Sequence, residues 1–417
     1  MNEQNILKAY EIAKARYAEV GVDTDAALEA LGNLHIAMHC WQADDVSGFE
    51  SNGSLTGGIQ STGNYPGKAR NIDELRADIL KATEFIPGKH RLSLHEIYGD
   101  FGGKFVDRDQ VEMKHFESWV EWGLENGMKI DFNSTSFSHP KSGNLSLSNP
   151  DASIREFWIE HTRRCRAIAD EIGRRQDSPC VMNLWVHDGS KDITVNRMYY
   201  RSLLKDSLDR IFEKEYKNMK DCLESKVFGI GLESYTVGSN DFYIGYCTQK
   251  QKLVTLDTGH FHPTESVADK ISSLLLYVPE LMLHVSRPVR WDSDHVTIMN
   301  DDTLDLFKEI VRCDAVDRVN VALDYFDGSI NRIGAYVIGT RSAQKCMLQA
   351  LLEPLKQLRG YEADNRGFER LALLEISKTL PWNAVWDMFC LKNNVPVGVD
   401  FIPEIQKYER EVTLLRK

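Results

Sequence analysis

The sequence predicts an α/β fold, a (β/α)8 TIM barrel with additional N- and C-terminal helical segments. Eight short runs of apolar, β-prone residues alternate with segments of helix length, which is the count of a closed parallel barrel. Titratable or aromatic residues stand at the ends of those runs, where a barrel gathers its working side chains. The 417 residues leave room for a barrel of ~250 residues with helices to spare. The expected division is an N-terminal helical segment over 1–34, the barrel over 35–340, and a helical extension over 341–417. That extension would pack on the barrel or on a neighbouring subunit.

Residues 3–31 read as helix in two pieces, with Ile6, Tyr10, Ala13, Tyr17 and Val20 at helical spacing and a break at Gly21-Val22-Asp23. The first strand is expected over 35–41. A glycine-rich passage over 45–68 follows, holding Gly48, Gly53, Gly57, Gly58, Gly63 and Gly67. Loops of this length in a compact domain serve as lids or interface segments, or else run free over the surface. It has no GxxxxGKS or GxGxxG arrangement, so it is not assigned to phosphate. A helix over 72–86 is capped by Asn71 or Asp73. The second strand is expected over 91–95, a helix over 109–126, the third strand over 129–133, and a helix over 152–173 after a loop rich in Ser, Asn and Pro. The fourth strand is 181–186. The stretch 191–194 leads into a helix ending near Lys220, and the fifth strand falls somewhere in 221–230. The sixth precedes Asp257, the seventh His284 and the eighth Asp324. Helices are expected over 265–277 and 301–313, then 331–358, 369–379, 381–393 and 403–415.

A net charge of −12 gives no reason to expect nucleic acid, which needs basic patches to meet phosphates. The eight cysteines form no CxxC pair, so neither a zinc knuckle nor a redox motif is indicated, and scattered cysteines fit a reducing compartment. The first residues lack a basic and then apolar leader, and no run of about 18 apolar residues exists. No membrane span is expected, the location is read as cytoplasmic, and the three Asn-x-Ser/Thr sequons are chance matches.

The eight strand ends carry His39, His95, Asp131, Trp185, Glu224, Asp257, His284 and Asp324. Glu224, Asp257, His284 and Asp324 make a set of three carboxylates and one imidazole, which suits Mn²⁺, Mg²⁺ or Co²⁺ better than thiolate-type zinc. His260, Asp292 and Asp294 form a second set in the loops beyond the sixth and seventh strands. Asp292 and Asp294 point the same way if the chain is extended there; alternatively Asp292-Ser293-Asp294 is an Asx turn capping the next helix. The pairing implies two ions within bridging distance, or one fixed and one exchangeable. Lys226, two residues after Glu224, either holds a substrate oxygen or is an ordinary salt-bridge lysine. Trp41 and Trp185 stack on a sugar face or fill the core.

Long motifs carry a family likeness. They are Met38-His39-Cys40-Trp41-Gln42, Gly57-Gly58-Ile59-Gln60, Gly63-Asn64-Tyr65-Pro66-Gly67-Lys68-Ala69-Arg70, Leu256-Asp257-Thr258-Gly259-His260-Phe261-His262-Pro263-Thr264-Glu265, and His284-Val285-Ser286-Arg287-Pro288-Val289-Arg290-Trp291-Asp292-Ser293-Asp294-His295. End to end, the chain resembles the L-rhamnose isomerase family. The resemblance implies a xylose-isomerase-like barrel, a homotetramer, and Mn²⁺ dependence with Co²⁺, Zn²⁺ or Mg²⁺ as substitutes at two sites per subunit. It implies interconversion of L-rhamnose and L-rhamnulose. Matched position by position, Glu224, Asp257, His284 and Asp324 correspond to a structural metal site. His260, Asp292 and Asp294 correspond to the catalytic one, and His95, Trp185 and Lys226 to the substrate pocket. Ala43 stands where the family pattern has glycine and Thr258 where alanine is common; neither is a ligand. Part of the glycine-rich loop resembles a segment reaching a neighbouring subunit's pocket.

The expected chemistry is an aldose–ketose isomerisation by a metal-assisted hydride shift between C1 and C2, with Lys226, Asp292 and Asp294 as catalytic residues. The alternative is a metal-dependent hydrolase or epimerase on the same barrel, since clustered carboxylates also serve water activation. A sugar-binding protein without catalysis is the further alternative.

Overall fold

Eight parallel strands close on themselves: β1 (Ile36–His39), β2 (His90–His95), β3 (Lys129–Thr135), β4 (Cys180–Trp185), β5 (Met219–Glu224), β6 (Leu253–Asp257), β7 (Leu281–Val285) and β8 (Val319–Leu323). Each pairs with its neighbours in sequence, and β8 closes on β1 through Ala37 and Ala322. This is the expected (β/α)8 barrel. The computed structural model describes residues 2–50, 61–226, 234–290 and 292–416. Gly53, the Gly57-Gly58-Ile59-Gln60 motif, Trp291 and positions 227–230 of the window expected for the fifth strand lie outside the described residues.

Register decides what meets at the carboxyl end. Trp185 lies opposite Glu224, Glu224 opposite Thr255, Asp257 opposite His284, and His284 opposite Ala322. Below them Ala37, Val181, Cys222, Leu253, Met282 and Ala322 fill the barrel interior, a packed core rather than a pore. The outward strand faces are covered by helices, with Trp119, Trp158, Phe116 and Phe307 among the largest buried side chains. Each such burial contributes about 1.5–3 kcal/mol. Helix Ala152–Arg175 approaches the barrel so closely that a Cβ on Gly173 would stand 1.8 Å from the carbonyl oxygen of Asn218.

The N-terminal helices are Glu3–Glu19 and Thr24–Asn33, and the side chain of Asn71 caps helix Ile72–Thr83. After β8 come Arg332–Leu351, Leu355–Ala363, Gly367–Ser377, Trp382–Lys392 and Phe401–Glu411. The first of these runs through residue 340, the expected edge of the barrel domain.

Several expectations are corrected. The helix expected over 109–126 is only Glu117–Glu125, preceded by two 3-10 turns. Glu112 is extended there and exchanges capping bonds with His115, while Arg108 is drawn inward to Glu50. The helix expected to end near Lys220 is Arg197–Ile211, and β5 starts earlier than the window set for it. Arg166 donates to the carbonyl of Ile211, and Asp170 takes the backbone N–H of Asn218, so the chain turns before Met219. Helix Asn240–Lys250 was not expected. It is aromatic-rich with no clean polar face, and Ser239 caps it. The helix expected over 265–277 is confined to Ala268–Leu274.

Asp131 is the main correction at a strand end. β3 runs on to Thr135, so Asp131 sits mid-strand opposite Ser93, and Asn133 stands opposite His95. Its carboxylate takes two bonds of 2.7 Å from Arg91 and the backbone N–H of Val181 at 2.8 Å. It belongs to the floor of the barrel.

Candidate metal centre

Strand ends β5 to β8 deliver Glu224, Asp257, His284 and, one residue past β8, Asp324. Each offers one ligand atom, and these atoms all lie within 4.8 Å of one another. His284 Nδ1 is 3.0 Å from Glu224 Oε1 and 3.3 Å from Asp324 Oδ2. Asp257, His260 and Asp292 form a second such group, so Asp257 is common to both. His260 Nε2 is 3.2 Å from Asp292 Oδ2 and 4.0 Å from Asp257 Oδ1. Asp294 lies outside this second group but lines the same cavity as His260 and Asp292. Glycine at 259 leaves room for the Asp292 carboxylate: a Cβ there would stand 2.4 Å from its Oδ1, which would have to shift.

The electrostatics are those of a cation site. Burial pushes the carboxyl of Asp257 well above the usual carboxylate range, and the charges of Asp292, Glu224 and Asp324 add to this against the pull of His260. Asp294 is raised in the same way by burial, then by Asp292, Asp324 and Asp257. Burial opposes protonation of His260, yet Asp257 and Asp292 overcome it and lift the imidazole to about 10. His284 is raised by Glu224 and Asp324, again against burial. Burial would raise Asp324, but His284 holds it below its ordinary value. Asp257 Oδ2 and Asp292 Oδ1 are buried with no protein partner. Buried acids that repel one another and leave oxygens unpaired are groups that could hold a divalent ion. An oxygen-rich donor set with imidazole suits Mn²⁺, Co²⁺ or Mg²⁺.

The groups open onto a cavity of about 140 Å³. Its wall is aromatic: Trp41 and His95 rings lie 6.1 Å apart, His95 and Phe137 5.7 Å, and Phe137 and Trp185 6.0 Å. His95 and Trp185 therefore line the cavity, as do Asp292 and Asp294. Lys226 does not line it; the residue is buried and its Nζ donates to the carbonyl of His187 at 2.9 Å. His39 is also buried away from the cavity, bonded through Nε2 to the carbonyl of Tyr325 and pushed down to about 4 by burial.

Sequence reasoning passed over Asn183, Phe137 and Phe326, which line the cavity. A period-two signal was there to find. Asn183 precedes Trp185 by two on one strand face, Phe137 follows Thr135 by two, and Phe326 follows Asp324 by two. Glu96 was also missed. It is buried with Oε2 2.8 Å from His95 Nδ1 and Oε1 3.7 Å from the Arg108 guanidinium.

Residues 4–417 match the family described as L-rhamnose isomerase (RhaA). The chain is 76% identical over 415 residues to an L-rhamnose isomerase of Bacteroides thetaiotaomicron, covering 99% of both chains. It is 53% identical over 409 residues to the L-rhamnose isomerase of Salmonella paratyphi B, covering 97% of both. Among solved structures, a D-psicose 3-epimerase from Clostridium cellulolyticum H10 superposes with a TM-score of 0.43 at 12% identity, over 76% of this chain and 96% of that one. With strand-end acids and imidazoles gathered at the mouth of its barrel, the chain belongs to the L-rhamnose isomerase family of aldose–ketose isomerases.

Proposed function

We propose that the chain interconverts L-rhamnose and L-rhamnulose with two divalent ions per subunit, Mn²⁺ first and Co²⁺, Zn²⁺ or Mg²⁺ as substitutes. The observation that carries this reading is the pair of ligand groups sharing Asp257 beside an aromatic-walled cavity. Glu224, Asp257, His284 and Asp324 would hold a structural ion, and His260, Asp292 and Asp294 a catalytic one. Such an ion supplies Lewis acidity at the oxygens on C1 and C2 of the open-chain sugar.

The chain's own residues provide the rest. Trp41, His95, Phe137 and Trp185 present rings to the C–H face of a sugar and keep bulk water from it. A dry wall suits transfer of hydrogen as hydride. The C2–H bond breaks with its electron pair and a C1–H bond forms. One proton leaves O2 and one arrives at O1, so the product is an isomer with no net gain or loss. Asp292 and Asp294 are assigned to that proton exchange; Lys226 would have to turn from the carbonyl of His187 to steady a sugar hydroxyl. A cytoplasmic homotetramer is part of the same reading. Association between subunits has support in Ile193, Val195 and Met198, which are 80%, 92% and 80% exposed in one short stretch.

The test is to strip the protein with EDTA and assay L-rhamnose after adding Mn²⁺, Co²⁺, Mg²⁺ or Zn²⁺ singly. Turnover should return with Mn²⁺. Activity on phosphoesters or ketoses alone would replace this reading with a hydrolase or an epimerase. In deuterated water, L-rhamnulose free of deuterium at C1 is expected; heavy incorporation there excludes a pure hydride shift.

A further inference from the structure

Each of the three carboxylates of the first ligand group has one oxygen tied to a protein N–H from outside the group. Asn183 Nδ2 donates to Glu224 Oε2 at 2.5 Å. Trp41 Nε1 donates to Asp324 Oδ1 at 2.9 Å. The backbone N–H of Gly259 donates to Asp257 Oδ1 at 2.6 Å. The opposite oxygens face the cluster or stand alone. Glu224 Oε1 looks toward His284 Nδ1 at 3.0 Å and His260 Nδ1 at 3.7 Å. Asp324 Oδ2 looks toward His284 Nδ1 at 3.3 Å, and Asp257 Oδ2 has no protein partner.

The Asn183 side chain is itself fixed. Its Oδ1 accepts the hydroxyl of Thr255 at 2.7 Å, which leaves Nδ2 as the atom facing Glu224. Asn183 is 2% exposed, so its amide is held almost wholly within the protein. The donors come from β4, from the turn after β1 and from the turn after β6, so the arrangement is built across the barrel and not by one local turn.

We infer that Asn183, Trp41 and Gly259 act as a denticity clamp, restricting Glu224, Asp324 and Asp257 to one oxygen each toward an ion and so favouring Mn²⁺-sized ions over Ca²⁺. This rests on the two-ion reading above. The chemistry follows from coordination number. Ca²⁺ takes 6–8 oxygens at long distances and recruits bidentate carboxylates, whereas smaller octahedral ions want six well-placed donors. Three single carboxylate oxygens and one imidazole nitrogen give four donors. Freeing Glu224 Oε2 or Asp324 Oδ1 would offer Ca²⁺ an extra ligand and give a smaller ion nothing it can use. Asn183 and Trp41 are thus positioning residues for the metal, acting through the carboxylates.

The test uses the full chain, stripped by EDTA, and two variants. Asn183→Leu removes the donor at Glu224, and Trp41→Phe independently removes the donor at Asp324 while keeping a ring. Mn²⁺ binding is read from the electron paramagnetic resonance signal of free Mn²⁺, with Ca²⁺ as competitor, and no turnover is measured. In each variant Mn²⁺ affinity should fall about 10- to 100-fold while Ca²⁺ affinity holds or rises. Equal weakening of both ions would mark mere loosening of the site and overturn the clamp, as would unchanged affinities. Should Asn183→Leu fail to fold, Trp41→Phe decides alone. A wild-type chain that binds no Mn²⁺ sinks the two-ion reading and the clamp with it; a wild type that binds Mn²⁺ beside variants of unaltered selectivity sinks the clamp only.

Discussion

The two ends of the barrel treat charge in opposite ways. At the amino-terminal floor a cavity of about 430 Å³ is lined by Arg91, Asp131, Lys220 and Asn320, and its buried charges are paired within the chain. Arg91 pairs with Asp131 at 2.7 Å, and Lys220 with Glu280 at 2.5 Å. At the carboxyl mouth Glu224, Asp257, Asp292, Asp294 and Asp324 crowd together with two imidazoles, and no lysine or arginine is among the described residues that line the cavity. A larger cavity with its charges paired is the bland one. A smaller cavity with no lysine or arginine beside its acids, and with Asp257 Oδ2 and Asp292 Oδ1 left without donors, is where something from outside would bind.

If the comparison is right, removing one acid at the mouth should act on function far more than on folding. Asp257→Asn keeps the shape and the Gly259 N–H bond but removes the charge common to both ligand groups. Turnover of L-rhamnose should drop by about 10³-fold or more, with metal content lost and the circular dichroism spectrum kept. A variant that retains near wild-type turnover breaks the contrast at its strongest point.

The floor should respond the other way. Arg91→Ala strands the buried Asp131 and leaves the carbonyl of Pro179 and the hydroxyl of Ser178 without their donor. A loss of about 3–5 kcal/mol in unfolding free energy is expected, read by denaturant titration, with kcat of the surviving folded enzyme within about twofold of wild type. Replacing both partners, Arg91→Met with Asp131→Leu, should recover much of that loss, because no unpaired charge then remains. A large fall in kcat instead would mean that the two ends are coupled.

Asp131 also shows where sequence reading stops. The clustered acids and imidazoles were legible because carboxylates and imidazoles ending apolar runs have few structural excuses, and because His260, Asp292 and Asp294 sit in loops close behind them. Asp131 had the same appearance, a polar residue inside an apolar strand. Only the extra length of β3, through Ser134 and Thr135, and its register against β2 put it at the floor. Strand polarity is not written in a single strand; it comes from pairing. Asn183 was invisible for the converse reason. An uncharged amide in an apolar strand reads as a tolerated core polar group until its two partners, on β5 and β6, are known. Helix Asn240–Lys250 escaped because its Phe242, Tyr243, Tyr246 and Cys247 give no polar face to set a period against.

The smallest effect tests the contrast in a single carboxyl group. Asp44 lies on the mouth side and is fully buried, like Asp131, but its partners are a hydroxyl and an amide rather than a guanidinium. Its Oδ1 accepts the Tyr98 hydroxyl at 2.7 Å and its Oδ2 the Gly48 N–H at 2.8 Å. Burial pushes its pKa up to about 7, with the Tyr98 and Gly48 bonds pulling only partly against it. In an unfolded chain an aspartate titrates near ~3.9. Between roughly pH 4 and pH 7 the unfolded chain has therefore released a proton that the folded chain keeps. Folding stability from this group falls as pH rises through that window, by at most about 1.4 kcal/mol per pH unit, and levels off above it. The other carboxylates mask the trend in the wild type, so the measurement is the difference in unfolding free energy between wild type and Asp44→Asn at pH 5, 6, 7 and 8. That difference should move against the wild type from pH 5 to pH 7 and then stay flat. A difference independent of pH would mean that Asp44 is held ionised as firmly as an arginine-paired acid, and that hydrogen bonds from a hydroxyl and an amide alone can do at the mouth what a buried guanidinium does at the floor.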